Sequence, residues 1–367
     1  MKRNVKEIKL STIIGIALIV IIVSIIISNI KNSDSIVNIV IQGKAVHALT
    51  GTEIEIGKTV EGRITMGNVT TIQINGASSN SFIFTNLDDT YVDAKIRGNK
   101  LIIQGKKVGT TEIKIKETST EKIAIYKVTI MTANYSIKSG DATVYYGTLA
   151  DAVNNASDDN IITVLQNVSE TQGAIVEKNI TIDLQDKKIS ISSVKTGIEV
   201  NKNISLNING KETGEIYIAK EAVGTTDEEK ANEEHIVINN NGTVNVKGGK
   251  LTAESSVGNA YGINNNGTVN VTGGEIYGKT YSYESVMIGY SPELSNSTMK
   301  SPMGSGINNN GNLNLSDGKI IGDCEVPSSS VARTGYYNIN YNCGINNITK
   351  GTVYITGGET TGMYRHI

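Results

Sequence analysis

A short repeat in the C-terminal half of the chain limits what the chain can fold into. The segment GINNNGTVNVTGGEIYG, Gly262 to Gly278, returns as GINNNGNLNLSDGKIIG, Gly306 to Gly322. Each copy holds an apolar–polar–apolar triplet, a glycine-rich bend and a second strand-like run. A period of two is typical of a β-strand, whose successive side chains point to opposite faces. The repeat therefore predicts an all-β chain whose repeats stack and stabilise each other.

Six triplets of this kind follow one another between residues 182 and 355. Their spacing varies between 24 and 44 residues, with a minimum of 24 to 25, and their central residues are Asp183, Asn207, Asn245, Asn270, Asn314 and Tyr354. Repeats of about 20 to 50 residues are typical of stacked architectures. Three short strands and three bends per period predict one coil of a parallel β-helix. The longer spacings are then one coil plus an insertion.

The side chains of the repeat are interpreted as scaffold. Val244, Val246, Val269 and Val271 should point inward and stack from coil to coil, and the asparagines between them should form a hydrogen-bonded outer row. The NNNG runs supply bends, because asparagine tolerates the left-handed region and glycine prefers it. Four of the triplets are preceded by Ile-Asn, at Ile238, Ile263, Ile307 and Ile345. One position after the bend alternates in charge, which predicts a solvated face, and holds Lys250, Glu275, Lys319 and Glu359.

The start of this region resembles a known family. YYGTLADAVNNASDDNIITVLQNVSE followed by VEKNITIDLQDKKISI, within Tyr145 to Ile191, is similar to the opening of pectin-lyase-like β-helix domains of Gram-positive surface proteins. In that family a helix caps the first coil, and its positions are held here by Thr148, Leu149, Ala152 and Val153. The resemblance implies a right-handed parallel β-helix over residues 143–367. It implies no single function, because the fold carries both polysaccharide-cleaving enzymes and non-catalytic adhesins.

Residues 36–133 predict a β-sandwich. About seven short runs alternate apolar and polar residues, with Gly, Asn and Asp between them. The segment Val92 to Glu117 resembles the end of a bacterial immunoglobulin-like domain of the BIG2 type, although the Trp and Ser-Asp of that family are absent. Its Lys-Gly-Thr-Thr turn is matched by Lys107, Gly109, Thr110 and Thr111. The resemblance implies a spacer or adhesion module.

The first thirty residues predict the compartment. A basic segment, residues 1–9, precedes an uncharged stretch from Leu10 to Ile30 that is long enough to cross a bilayer as a helix. The basic flank should stay in the cytoplasm, which places the rest of the chain outside. We therefore expect a single-pass protein anchored through residues 10–30. Secretion after signal cleavage is the alternative, although SIIISNIKNSDS lacks a typical cleavage site.

Charge and residue types argue against several kinds of site. A net charge of −2 gives no reason to expect a nucleic-acid partner. His47, His235 and His366 share no motif, so neither a triad nor a metal or cofactor site is predicted. Arg333 lacks the Asp cluster of a lyase, and the acidic run Thr225 to His235 reads as a solvated loop. No catalytic residue is predicted, because the acids of the repeat are spread over several coils: Glu254, Glu275, Asp317, Asp323 and Glu359.

Two insertions supply the candidate binding residues. Both follow the second strand of a coil, so they should leave the scaffold at one corner and touch. Tyrosine offers a flat apolar face and a hydroxyl, which suits sugars and protein surfaces. The tyrosines are Tyr281, Tyr283 and Tyr290 in the first insertion and Tyr336, Tyr337 and Tyr341 in the second. The alternative is that these rings pack the loops onto the scaffold.

The two cysteines and the C-terminus add two further expectations. Cys324 and Cys343 bracket the second insertion, so a disulfide at its base and two free thiols are both open. The chain ends just after a coil strand with no visible cap, so we expect a longer natural protein or fraying of Met363 to Ile367.

Three functions fit these features. The first is a membrane-anchored extracellular surface protein that binds a glycan or a host or cell-surface protein without catalysis. The second is a polysaccharide lyase or glycoside hydrolase on the same fold. The third is a purely structural cell-surface protein.

Overall fold

A computed structural model describes residues 37–41, 44–48, 53–192, 194–220, 233–256, 258–281, 303–326, 343–348 and 350–366. Within these ranges the chain is all-β, with one short helix, α1 (Leu149–Asn155). The chain divides into two units, of which the first ends at Met131 and the second begins at Thr132. The predicted membrane segment, residues 10–30, lies outside the described ranges. Inside them no helix is both long and apolar enough to span a membrane.

The first unit consists of two sheets. Its strands are β1 (Val37–Ile41), β2 (Lys44–Ala48), β3 (Glu53–Glu55), β4 (Thr59–Thr65), β5 (Val69–Asn75), β6 (Phe82–Asn86), β7 (Val92–Arg97), β8 (Lys100–Gly105), β9 (Gly109–Glu117) and β10 (Ile123–Met131). One sheet has the order β1-β2-β5-β8-β7, with β3 also paired to β5, and the other has the order β4-β10-β9-β6. The seven alternating runs of the sequence are the strands β3, β4, β5, β6, β8, β9 and β10. Three further strands were not among them: β1 and β2, which pair with each other, and β7, which forms a hairpin with β8.

Both sheets of the first unit cover one hydrophobic core. Ile72 and Ile74 of β5 are buried in it together with Ile113 and Ile115 of β9. These residues alternate with polar ones along their strands, so each sheet turns one apolar face inward. The alternation read from the sequence is therefore the alternation that builds the core.

Glu117, at the end of β9, connects the loop at Ser78 and Ser79 to the turn at Thr120 through hydrogen bonds. Its carboxylate accepts hydrogen bonds from the Thr120 hydroxyl, from the Ser79 amide at 2.7 Å and from the Ser78 hydroxyl at 3.2 Å. These hydrogen bonds, the one from Thr120 above all, lower the pKa of Glu117 to about 2. The ionised carboxylate is thus part of the fold.

The second unit opens with a hairpin and a helix. β11 (Tyr135–Ser139) and β12 (Ala142–Tyr146) form the hairpin, and α1 follows. Thr148 caps α1 by accepting a hydrogen bond from the Asp151 amide, and Leu149, Ala152 and Val153 are buried. The helix expected at these residues is confirmed, and the unit begins with β11, which precedes the expected boundary at residue 143.

The rest of the second unit is a stack of coils with three columns of parallel strands. The first column comprises β13 (Ile161–Val164), β16 (Ile180–Asp183), β19 (Ser205–Asn209), β22 (Thr243–Val246), the first parts of β25 (Thr268–Tyr281) and β27 (Asn312–Val326), and β29 (Thr352–Ile355). The second column comprises β14 (Val168–Glu170), β17 (Lys188–Ile191), β20 (Glu215–Lys220), β23 (Lys250–Ser255), the second parts of β25 and β27, and β30 (Glu359–His366). The third column comprises β15 (Ala174–Val176), β18 (Thr196–Val200), β21 (Glu234–Asn240), β24 (Asn259–Asn265), β26 (Gly304–Asn309) and β28 (Cys343–Asn347).

The register of the first column tests the alignment of the triplets. One continuous row holds Asn207, Asn245, Asn270, Asn314 and Tyr354, as expected. The Ile-Asn positions form a row of the third column, also as expected.

The alignment of the earliest triplet was wrong by two residues. Thr181 pairs with Asn207, and Asp183 pairs with Asn209. Ile180, Ile182 and Leu184 are all at most 1% exposed, so alternation extends over two overlapping triplets. Inward alternation alone therefore could not choose between the two registers.

The asparagines form hydrogen-bonded rows along the stack. In the predicted outer row, Asn245 donates a hydrogen bond to Asn207 at 3.0 Å. Asn270 donates to Asn245, and Asn314 donates to Asn270, each at 2.8 Å. The valines beside them are fully buried, as expected. The hydrogen-bonded row predicted for these asparagines is confirmed.

A second asparagine row, which was not predicted, lies inside the stack at the bend before the first column. Asn240, Asn265 and Asn309 are 0% exposed. Asn265 accepts hydrogen bonds from the Asn240 amide at 2.8 Å and from the Gly267 backbone at 3.1 Å. It donates to Asn309 at 2.7 Å and to the Asn312 carbonyl at 3.0 Å. Its amide thus uses both donors and both acceptor sites.

The two ends of the stack differ. At the N-terminal end β11 pairs with β13, and α1 packs against β15. Glu170 joins these parts, because its carboxylate accepts from the Tyr135 hydroxyl at 2.7 Å and from the Leu149 amide at 2.9 Å. At the other end β30 stays paired with β27 as far as His366, so the backbone of Met363 to His366 is not frayed.

Candidate functional site

The outer face of the second column carries a dense set of polar and aromatic side chains. Its strands fill the core with residues such as Ile216, Leu251, Ile276 and Ile320, all 0% exposed, so the alternate residues point outward. Neighbouring strands of a sheet lie about 4.8 Å apart, so outward residues repeat along the stack at that interval. We call this surface the second-column face.

A row of alternating charge borders the second-column face. Its members in register are Lys188, Glu215, Lys250, Glu275, Lys319 and Glu359. Lys188 pairs with Glu215 at 2.7 Å, Lys250 with Glu275 at 3.3 Å and Lys319 with Glu359 at 3.8 Å. The alternation expected from the sequence is confirmed, and it avoids like charges on adjacent strands.

A groove of about 700 Å³ runs beside this charged row. It is lined by the row itself and by the glycine bends that join the first column to the second. Gly249, Gly274, Gly318 and Gly358 have φ between 77° and 96°, a region that favours glycine. The missing side chains leave backbone as the lining of the groove. The signal in the sequence was the glycine pair followed by a charge.

Two tyrosines stand in the middle of the second-column face. The Tyr217 hydroxyl donates to Glu254 at 2.7 Å, and the Tyr277 hydroxyl donates to Asp323 at 2.5 Å. In both pairs the acid lies one coil further along and two residues further down the strand. Burial, and then the hydrogen bond to Glu254, raise the pKa of Tyr217, so its hydroxyl remains a donor at neutral pH.

A third row lies on the side of the face where the insertions leave. Glu254, Lys279 and Asp323 are in register on successive coils. The Lys279 ammonium lies 4.5 Å from the centroid of the Tyr281 ring, and Lys188 lies 3.9 Å from that of Tyr217. Cations at these distances are attracted to the ring faces. The face thus alternates aromatic, acidic and basic groups within a few ångströms.

Only one of the six predicted binding tyrosines is described. Tyr281 ends β25 at the edge of the second-column face. The other five, Tyr283, Tyr290, Tyr336, Tyr337 and Tyr341, lie outside the described residues, as does Arg333. Contact between the two insertions therefore stays a prediction.

The insertions leave the stack at one corner, as predicted. β25 ends at Tyr281, and Tyr281 pairs with Glu325 of β27. β27 ends one residue later, at Val326, so both strands end at the same place. The acidic run belongs to a third insertion at this corner, because β20 ends at Lys220, in register with Ser255 and Thr280. The prediction of a solvated loop is wrong for the end of this run, where Glu233 and His235 are buried with 3.8 Å between carboxylate and imidazole and β21 begins at Glu234.

Of the two alternatives left open for the cysteines, the structure has the one without a disulfide, because Cys343 is a free thiol. Cys343 belongs to the third column, and its sulfur lies 3.5 Å from the Ser305 hydroxyl. Cys324 belongs to the second column and pairs in register with Thr280, and its side chain lies outside the described part of the protein. The two cysteines are thus on strands of different columns.

Among the described residues, no three His, Cys, Asp or Glu side chains are placed to hold a metal ion. No protein-family model matches the chain, and no curated protein or solved structure is significantly similar to it.

Proposed function

We propose that the chain is an extracellular surface protein whose second-column face binds a linear glycan without cleaving it. One observation carries the proposal: Tyr217 and Tyr277 stand two coils apart beside a polar groove that follows the stack. A pyranose ring combines apolar faces with a rim of hydroxyls, and this surface offers partners for both. The rings supply apolar contact, and the neighbouring acids and lysines supply acceptors and donors.

The repeat of the face also favours an extended polymer over a compact ligand. Equivalent side chains recur about every 4.8 Å along the stack, and a pyranose unit of an extended glycan covers a similar length. One sugar unit per coil would place successive units against equivalent charges of the bordering row. The groove extends along at least the coils of Lys250, Glu275 and Lys319.

The finer assignment of the fold belongs to this proposal. The stack is a right-handed parallel β-helix of the pectin-lyase-like kind, supported by three columns of parallel strands and the helix α1 over its first coil. The first unit is a BIG2-type immunoglobulin-like spacer, supported by its two sheets and by Gly109, which has φ of 146° where the family has its turn. Residues 10–30 anchor the chain, supported by their length and lack of charge.

The first experiment is a glycan array followed by calorimetry with the glycan that binds. Tyr281→Ala should weaken binding at least tenfold, which corresponds to about 1.4 kcal/mol, with an unchanged melting temperature. Tyr354→Ala is the matched control, because Tyr354 is 69% exposed but stands in a first-column row. Absence of any bound glycan, or equal effects of the two substitutions, would overturn the proposal.

Hydrolysis is the second candidate function, and one observation favours it. Glu254 and Asp323 lie in one row two coils apart, so their backbones are roughly 9 to 10 Å apart. Inverting glycosidases hold their carboxyl groups about 6.5 to 9.5 Å apart. Against this, Asp323 is 0% exposed, whereas a catalytic acid must contact its substrate. Release of reducing ends from polygalacturonate or glycosaminoglycans without an unsaturated product, lost in Glu254→Gln, would establish hydrolysis instead of binding alone.

A further inference from the structure

Three bends of the second unit share the sequence Asn-Asn-Asn-Gly and the same place in a coil, between the third column and the first. We call them the Asn-Gly bends, and their last two residues are Asn241-Gly242, Asn266-Gly267 and Asn310-Gly311. An asparagine before glycine can cyclise, because glycine has no Cβ to hinder the approach of its nitrogen to the asparagine side chain. Asn75 and Asn209 also precede glycine, but they end strands and are not equivalent to these three.

In the first two Asn-Gly bends the buried asparagine row holds the glycine amide. The Gly242 amide donates a hydrogen bond to Oδ1 of Asn240 at 3.0 Å, and the Gly267 amide donates to Oδ1 of Asn265 at 3.1 Å. The glycine nitrogen is the atom that attacks when such a pair cyclises. Cyclisation in these two bends therefore has to break a hydrogen bond first.

The third Asn-Gly bend lacks this hydrogen bond. Asn309 donates from its own side-chain amide to the Gly311 carbonyl at 3.2 Å, and the Gly311 amide has no acceptor among the described residues. The Asn310 side chain is also held on one side only. It donates to Asn266 at 3.4 Å, whereas its position in the next coil is occupied by Ile348. Both reacting groups of this bend are thus less restrained than those of its equivalents.

We propose that Asn310 is a site of spontaneous deamidation, and that the fold protects the equivalent Asn241 and Asn266. The Gly311 nitrogen bonds to Cγ of Asn310, the bond between Cγ and Nδ2 breaks, and the proton of the glycine amide leaves with Nδ2 as ammonia. The product is a cyclic succinimide, which water opens to aspartate or to isoaspartate. This reaction goes beyond glycan binding and does not depend on it.

Deamidation changes both the charge and the backbone of the bend. Either product places a carboxylate where Asn310 donated to Asn266, so this hydrogen bond is lost. Isoaspartate also routes the backbone through the side-chain carbon, which lengthens the connection between β26 and β27. Modified molecules therefore accumulate with time at one defined position of the stack.

Exposure of the asparagine side chain predicts a different order of reaction. Asn266 is exposed, whereas Asn241 and Asn310 are half-buried. If access to water controlled the reaction, Asn266 would deamidate first. Control by the glycine amide instead predicts that Asn310 reacts first, by about fivefold, which is the factor that one net hydrogen bond represents.

Peptide mapping by mass spectrometry tests this order in the unmodified sequence. The full chain in detergent is incubated at mildly alkaline pH, and Asn310 should deamidate about fivefold faster than Asn241 and Asn266. The same chain in urea is the matched control, because the three bends share their sequence and should react at similar rates once the fold is lost. Faster reaction of Asn266, equal rates in the folded chain, or a preference for Asn310 that persists in urea would overturn the proposal.

Asn240→Ala gives a second measurement, because it removes the acceptor of the Gly242 amide. Asn241 should then deamidate about fivefold faster than in the wild type. Asn310 lies two coils away and should keep its rate, so it serves as an internal control for general loosening of the stack. An unchanged rate at Asn241, or equal acceleration at both asparagines, would contradict protection by the glycine hydrogen bond.

Discussion

Replacing Asn265 with alanine would test how much the buried asparagine row stabilises the stack. The substitution removes four hydrogen bonds, to Asn240, Asn309 and the backbones of Gly267 and Asn312. The Asn240 amide keeps another partner, the Thr268 carbonyl, whereas the Oδ1 of Asn309 loses the donor that Asn265 supplied. The Gly267 amide and the Asn312 carbonyl lose the bond that Asn265 made to them.

The expected loss follows from the two backbone groups and the Asn309 oxygen. Each buried polar group left without its partner costs about 1 to 3 kcal/mol, so three such groups give about 3 to 9 kcal/mol. For a unit of this size, 1 kcal/mol shifts the melting temperature by about 2 to 4 °C. A loss at the lower end of this range, about 3 kcal/mol, should therefore lower the melting temperature by about 6 to 12 °C.

Asn270→Ala is the matched control for this experiment. Asn270 stands in the outer row, where its side chain bonds only to Asn245 and Asn314, both at 2.8 Å. Water can replace these bonds, so we expect a loss below about 1 kcal/mol. Both variants are compared by urea unfolding followed by circular dichroism. Equal losses would refute the idea that burial of the second row makes it the stabilising one.

Three further predictions concern titration and backbone strain. The pKa of Glu117 is lowered, so the stability that its carboxylate contributes is present above the ordinary value of 4.5 and is lost as the pH falls towards about 2. Glu117→Gln should lower the stability at pH 7 and should make the stability depend less on pH during acid unfolding. Burial raises the pKa of Glu170, so the stability that this residue contributes weakens as the pH rises above 4.5. Glu170→Gln should therefore reduce the fall in melting temperature with rising pH above 4.5. Gly274→Ala should destabilise the stack by more than about 1 kcal/mol, because the new Cβ would lie 2.6 Å from the Gly249 carbonyl oxygen at a φ of 82°. A Cβ at Gly98 would have no heavy atom within 4 Å, so Gly98→Ala should cost less in the same urea experiment.

The fold was largely readable from the sequence because its core is periodic. Inward residues such as Val244 and Val269 recur with a bend at a fixed offset, and this offset sets the register from coil to coil. The reading failed at Asp183, where apolar residues alternate over more than one triplet. The reading also missed the buried asparagine row, although the period of two from the inward Ile263 places Asn265 inward and Asn264 outward.

The candidate site was harder to predict, for a physical reason. Tyr217 and Glu254 are 37 positions apart in the chain and meet only because an insertion separates their coils without changing their register. Tyr281 could be singled out, since it borders an insertion and tyrosine is a common contact residue. The groove was missed although the repeated glycine pair followed by a charge marks its lining, because what each glycine contributes there is the absence of a side chain.

Because the insertions leave at a common corner, their length and the pairing of the coils are independent of each other. Connections of different lengths follow β20, β25 and β27, whereas only three residues separate the end of β23 at Ser255 from the start of β24 at Asn259. The register of the columns is the same in every case. Doubling a loop costs only about 0.6 kcal/mol in closure entropy. The length of the insertions at this corner can therefore change while the coils on either side keep their pairing.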